Sequence, residues 1–420
     1  MWLLLLMIFV MPYEANPYLY IAPSFLGIMQ DFTFIKLVGL LGFCWAALQV
    51  LAGRVPEGIL ASRQARTFLL FVLGIVVAGL VSGTGYLPVT RYVAFLLFMP
   101  LVLAAVRTHD DLRLVVQAMV LSIVLTFPYA IRQMLRFDAR LGVGLYEPNY
   151  FAAILVLLIP LALAIASVQA VRGRRALWLL AAGILLASLL LTSSRGGFLG
   201  LLVAGALFVY RRRGAGAALA LLAGLMLAAL PTELGQRALD TLWADVGTPA
   251  GLEASNRAHM ALFWAALRMI ADAPLTGVGP YNFKEVSAEY SGLETGAIAH
   301  NTWLELAAEA GLPVLGLFIL VLAAAFSGLR RGLHVPRDDR EGRELAAWSE
   351  GLRSGLVGFL VAGTFISAQY EKWLWLTVFV SIVVERLARQ RQVAALRRPA
   401  PDPAQPAPAA PGRGALGHPA

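Results

Sequence analysis

Long apolar runs alternate with short polar breaks along the chain, and the runs set its architecture. A helix needs about 20 residues to cross roughly 30 Å of hydrocarbon. Runs near that length fall at about 1–12, 34–52, 66–82, 89–106, 112–131, 148–171, 175–192, 195–211, 215–231, 312–329, 351–369 and 371–387. The pattern predicts an all-α polytopic membrane protein of about twelve transmembrane helices, with a large loop containing short helices between the ninth and the tenth. The first run is short for a crossing and lacks a basic stretch ahead of it, so it reads as a frayed or truncated helix rather than a signal peptide. The expected division is 1–231 for helices one to nine, 232–311 for the loop, 312–398 for helices ten to twelve, and 399–420 for a disordered tail. That tail is rich in proline, alanine and glycine and buries too little apolar surface to fold.

Composition removes the soluble alternatives. Of 420 residues, 59% are hydrophobic and 14% charged, against roughly 45–50% and about 25% in soluble domains. The formal net charge is +9. In a soluble chain such an excess would suggest nucleic acid, but in a polytopic chain the positive-inside bias is the commoner cause, and no nucleic acid is expected. Only Lys36, Lys284 and Lys372 are lysines, so nearly all of the 34 basic residues are arginine. Sorting them by alternate loops puts 23 on one side, which is therefore expected to be cytoplasmic. The long loop then lies outside. Cys44 has no second cysteine to pair with.

Eleven basic residues fall on the other side: Lys36, Arg91, Arg132, Arg136, Arg140, Arg195, Arg237, Arg257, Arg268, Lys284 and Lys372. Arg91, Arg195 and Lys372 open the fourth, eighth and twelfth helices, and Glu147 and Asn149 flank Pro148 at the start of the sixth. Helix N-termini present free N–H groups and a partial positive charge, so these ends together with arginines suit a phosphate. The loop holds its own helix, expected to begin near Ser255 as N-cap. Arg257, Trp264 and Arg268 share one face of it. Eleven residues of rise separate the two arginines by roughly 16 Å, so at most one of them reaches a given phosphate. His259 lies about 200° around that helix from Arg257 and is expected to be structural. Thr302 with Glu305 forms a capping-box pattern that sets His300 and Asn301 just ahead of a helix, and Gly311 with Pro313 ends it and begins the tenth span. A histidine at that mouth is the best general-base type available. No metal-ligand spacing, Walker A sequence or dinucleotide fingerprint occurs, and no Gly-x-Ser-x-Gly elbow surrounds Ser193 and Ser194. Carboxylates are scarce inside the spans, with Asp31 and Glu385 only at their edges, which argues against a proton relay.

These residues resemble the O-antigen ligase and Wzy-type polymerase family of membrane glycosyltransferases. The matching stretches are Tyr146-Glu147-Pro148-Asn149-Tyr150-Phe151-Ala152, Thr192-Ser193-Ser194-Arg195-Gly196-Gly197, Ser255-Asn256-Arg257 with Trp264, Pro274-Leu275-Thr276-Gly277-Val278-Gly279, and Ala299-His300-Asn301-Thr302-Trp303-Leu304-Glu305-Leu306. They run in order from about 140 to 325. The resemblance implies a GT-C-like fold in the bacterial inner membrane with its active site facing the periplasm. It implies metal-independent, inverting transfer of a glycan from undecaprenyl pyrophosphate to an acceptor hydroxyl, with no cofactor. In the ligase branch the acceptor is the lipid A core; in the polymerase branch it is another carrier-linked repeat unit. A transporter of an anionic lipid-linked substrate is the alternative from a different class. Carried onto this chain, His300 is the expected base, and Arg195 and Arg257 the expected leaving-group arginines. Arg91, Glu147, Asn149, Asn301 and Arg268 are expected to bind substrate. Asn256 stands where the family pattern has a small residue.

Overall fold

A computed structural model describes residues 1–14, 16–25, 29–54, 62–84, 90–137, 140–143, 147–236 and 254–397. The tail expected at 399–420, Tyr146 and Arg237 lie outside the described residues, as do the side chains of Ser255 and Asn256. The chain is all-α apart from one hairpin. Its helices are α1 (Trp2–Val10), α2 (Phe34–Leu51), α3 (Arg63–Ser82), α4 (Thr90–Ala105), α5 (His109–Val124), α6 (Phe127–Phe137), α7 (Pro148–Ser167), α8 (Arg172–Leu191), α9 (Arg195–Arg213), α10 (Ala215–Ala229), α11 (Ala254–Asp272), α12 (Phe283–Ser291), α13 (Thr302–Leu333), α14 (Arg340–Ala362) and α15 (Lys372–Leu396).

Each expected apolar run overlaps a helix, but 112–131 is divided between α5 and α6 and 351–369 is helical only as far as Ala362. Six helical stretches among the described residues are long and apolar enough to cross a membrane: α2, α3, the α5–α6 stretch, α7, α8 and α13. Helices α1, α4 and α10 are apolar but shorter. Helices α9, α14 and α15 carry arginines toward one end, such as Arg211, Arg212 and Arg213 on α9. The hairpin, β1 (Tyr20–Phe25) against antiparallel β2 (Met29–Thr33), was not foreseen. It occupies the link between α1 and α2, where the sequence offers Tyr, Ile, Phe and Thr without a helical apolar stripe.

Helix α7 is buried along nearly its whole length, and α14 runs closely beside it and α9. Small residues permit the approach, as they do generally where helices pack in lipid. A Cβ at Gly200 would lie 2.5 Å from the Gly358 carbonyl, one at Gly351 would lie 2.8 Å from the Ala164 Cβ, and one at Gly355 would collide with the Leu157 carbonyl. On the other flank Trp375 stacks on Phe71 with centroids 5.5 Å apart. Phe68, Phe95 and Phe379 complete this aromatic packing.

Helix α13 joins the short loop helix and the expected tenth span into one element, broken only at Gly311, where φ is 83° and ψ 164°. A Cβ there would run into the Leu275 carbonyl, and the neighbouring Leu312 N–H donates to Pro274 O at 2.8 Å. The backbone penalty alone is about 1–3 kcal/mol for a non-glycine residue in this region, which is essentially reserved for glycine. Gly311→Ala should therefore lower the thermal unfolding midpoint of the purified protein clearly. An unchanged midpoint would mean that the kink is not a fixed feature of the fold.

Candidate functional site

The link before α13 is fastened from both sides of His300. The Ala299 N–H donates to Glu305 Oε2 at 2.8 Å, and Asn301 Oδ1 accepts from the Trp303 and Leu304 N–H groups at 3.0 Å each. Asn301 is therefore the N-cap, and the expected Thr302–Glu305 capping box does not form. The Asn301 side chain already reaches the orphan amides, which frees Thr302 for the 363–371 link. Thr302 N–H donates to Gly363 O at 2.9 Å, its hydroxyl donates to Ile366 O at 2.7 Å, and it accepts from Ala368 N–H at 2.8 Å. Glu305 is buried and also accepts from Ser367 Oγ and, at 2.8 Å, from Gln369 Nε2. Between these anchors His300 is held in the left-handed region at φ 51°. Such a conformation persists only where the surroundings over-determine it.

Arg195 is the first residue of α9. Ser194 caps the helix by accepting from Gly197 N–H at 3.2 Å, and Ser193 before it also has positive φ, 50°. The two glycines that follow are required by packing: a Cβ at Gly196 would lie 2.8 Å from Phe365, and one at Gly197 would lie 2.5 Å from Ala152. Arg195 is thus presented at a helix N-terminus against α7 and the 363–371 link.

Arg140 was one of the eleven outward-sorted basic residues, yet nothing in the sequence singled it out. Its Nε donates to Thr192 O at 2.8 Å and its Nη2 to Asn149 Oδ1 at 2.9 Å. Asn149 in turn donates to Glu147 Oε1 at 2.6 Å through its side chain and to Glu147 Oε2 at 3.1 Å through its backbone. Glu147 and Asn149 are therefore coupled to each other and, through Arg140, to the turn that presents Arg195.

Helix α11 buries Leu262, Ala265, Ala266 and Met269 against Phe283, Ala299 and Ala308. Its opposite face leaves Met260, Phe263 and Trp264 exposed beside Arg257 and Arg268. The His259 ring lies 4.6 Å from the His300 ring, centroid to centroid, a contact that helical phase did not indicate. Counting turns from Arg257 located His259 on the helix but could not reveal which link that flank faces. Arg268 Nη1 donates to Tyr290 O at 2.6 Å, at the far end of α11, and so joins α11 to α12. Arg91 lies over the Tyr281 ring with Cζ 3.9 Å from its centroid, and 5.7 Å from that of Tyr370. Lys372 pairs with Glu14. His300 thus meets His259, which feels the Arg195 charge, and Arg257 lies two residues before His259 on α11. Arg91 is held by aromatic rings, and Asn301 is engaged in capping.

The electrostatics keep both histidines neutral. Burial, reinforced by His259, lowers the His300 pKa to about 4. Burial and then the Arg195 charge lower that of His259. Because the unfolded imidazole titrates near 6.5, the unfolded chain gains a proton between pH 6.5 and about 4 that folded His300 does not take up. His300 therefore costs the fold stability as pH falls through that window. Among the described residues no three His, Cys, Asp or Glu side chains are placed to hold a metal ion.

Residues 180–319, a third of the chain, match the family model described as O-antigen ligase. The resemblance carried by the sequence motifs is borne out over that stretch, which runs from α8 into α13 and includes Arg195, Arg257, His259 and His300. No curated protein matches the chain.

Proposed function

With that match as premise, we propose that the protein is a ligase-type membrane glycosyltransferase with about twelve crossings of a bacterial inner membrane and its site on the periplasmic face. The donor is a glycan on undecaprenyl pyrophosphate, and the acceptor is a hydroxyl of the lipid A core. The observation that carries the proposal is the packing of His300, whose pKa burial lowers to about 4, on His259, which feels the charge of Arg195 at the α9 N-terminus.

In the proposed inverting step the acceptor oxygen attacks the anomeric carbon while the bond from that carbon to the phosphate oxygen breaks. His300 takes the acceptor proton. The bonding electrons leave with the carrier pyrophosphate, whose growing charge is met by Arg195 and Arg257 and by the positive end of the α9 dipole. The step is proposed to be metal-independent because guanidinium groups supply that charge. Arg91, Glu147, Asn149, Asn301 and Arg268 shape the surrounding surface and hold its loops, and the 232–311 segment supplies both α11 and His300.

A bound pyrophosphate raises the pKa of a nearby imidazole, since an opposite charge favours the protonated form. The acid limb of kcat/KM, which reports the free enzyme, should therefore fall near pH 4, and that of kcat should lie higher. Coincident limbs near 6.5 would contradict the neutral, desolvated base.

The acceptor test separates the ligase from its nearest relative. Purified protein given carrier-linked glycan and lipid A core should form the joined product. Extension of the glycan when only carrier-linked repeat units are supplied would make it a polymerase. Movement of the donor between leaflets without covalent change would make it a transporter.

A further inference from the structure

We propose that His259 is a positioning residue for the same reaction, packing on the His300 ring so that the base faces the acceptor hydroxyl. The proposal rests on His300 being the base.

The backbone of His300 is fixed by Glu305, Asn301 and Thr302, but those contacts stop at the main chain. Among the described residues no hydrogen bond or ion pair to the His300 ring is present, and the ring that meets it is His259, 4.6 Å away and tilted by 42°. A catalytic histidine is ordinarily oriented by a carboxylate or carbonyl on its second nitrogen. Here Glu305, the nearest buried carboxylate along the chain, is occupied by Ala299 N–H, Ser367 and Gln369. The orienting group is a ring instead.

His259 is well placed for this because its helix is anchored. Leu262 and Ala266, three and seven residues further along α11, are buried against the core that includes Ala299, the residue before His300. One rigid unit therefore fixes both rings. The charged group that reaches the pair is Arg195 from α9, which acts on His259. Burial and then the Arg195 charge lower the His259 pKa. Because α11 carries Arg257 as well, the same helix sets the spacing between base and leaving-group arginine.

The experiment compares His259→Ala, His259→Phe and His259→Gln with the wild type, using kcat and KM for transfer and the titration of His300 followed by NMR on histidine-labelled protein. The chain has five histidines, so the His300 signal is assignable with one further variant. Misplacing a reacting group by about 1 Å can cost as much as 100-fold. His259→Ala should therefore lower kcat by about 10- to 100-fold with donor KM little changed, and should move the His300 midpoint upward. His259→Phe, which keeps the ring, should recover most of kcat, and His259→Gln should not. Wild-type kcat in His259→Ala with an unmoved His300 midpoint would overturn the proposal. Rescue by Gln but not by Phe would also overturn it, because it would assign His259 a hydrogen bond rather than a ring contact. If the wild type transfers no glycan, the function proposed above fails. The NMR titration still decides whether His259 governs the His300 ring.

Discussion

Replacing His300 with asparagine is expected to lower glycan transfer by about 10²–10⁴-fold, the usual contribution of a general base. This corresponds to roughly 2.7–5.5 kcal/mol of transition-state stabilisation. Asparagine is the informative substitution because position 300 has φ 51°, a region that asparagine tolerates better than most residues. The 292–301 link should therefore keep its course and Asn301 should still cap α13. The loss should fall on kcat, with donor binding retained, and the thermal midpoint should stay near that of the wild type. Retained transfer in a folded His300→Asn protein would remove the base from the mechanism.

The second large effect is expected at Arg195. Removing one preorganised donor to a developing negative charge typically costs about 10²–10³-fold, so Arg195→Ala should lower kcat by that amount. Arg195→Lys should recover only part of it. Lysine keeps the charge but not the planar pair of donors that binds a phosphate bidentately. The next residues, Gly196 and Gly197, pack against Phe365 and Ala152. A longer or shorter side chain at 195 therefore cannot be offset by a shift of the α9 terminus. If Arg195→Ala raised KM alone, with kcat unchanged, Arg195 would bind the ground state and the leaving-group role would fall.

Much of this was legible in the sequence because burial in a membrane protein is written in long runs. Each of the twelve expected runs overlaps a helix, although 351–369 ends in the 363–371 link, and sorting the basic residues by side drew out eleven, Arg91, Arg195 and Arg257 among them. What stayed hidden was tertiary. The pattern Thr302 to Glu305 matches a capping box, but Asn301 wins the cap because its own side chain fits and because Ile366 and Ala368 claim the Thr302 hydroxyl. Arg140 looked like any other basic loop residue, since its partners, Thr192 O and Asn149, are brought to it by the packing of α7 and α8. The contact of His259 with His300 was hidden for the same reason. Helical phase gives a residue's direction on its own helix, and only the link arriving before α13 determines what lies in that direction.

The convergence of His300 and Arg195 as a glycosyl-transfer site is tested most directly by following label in a carrier-linked glycan supplied to the purified protein with lipid A core. The expected result is label on the core with stoichiometric release of undecaprenyl pyrophosphate by the wild type, and label left on the carrier by His300→Asn. Transfer at the wild-type rate in the variant, or no transfer by the wild type, would contradict it.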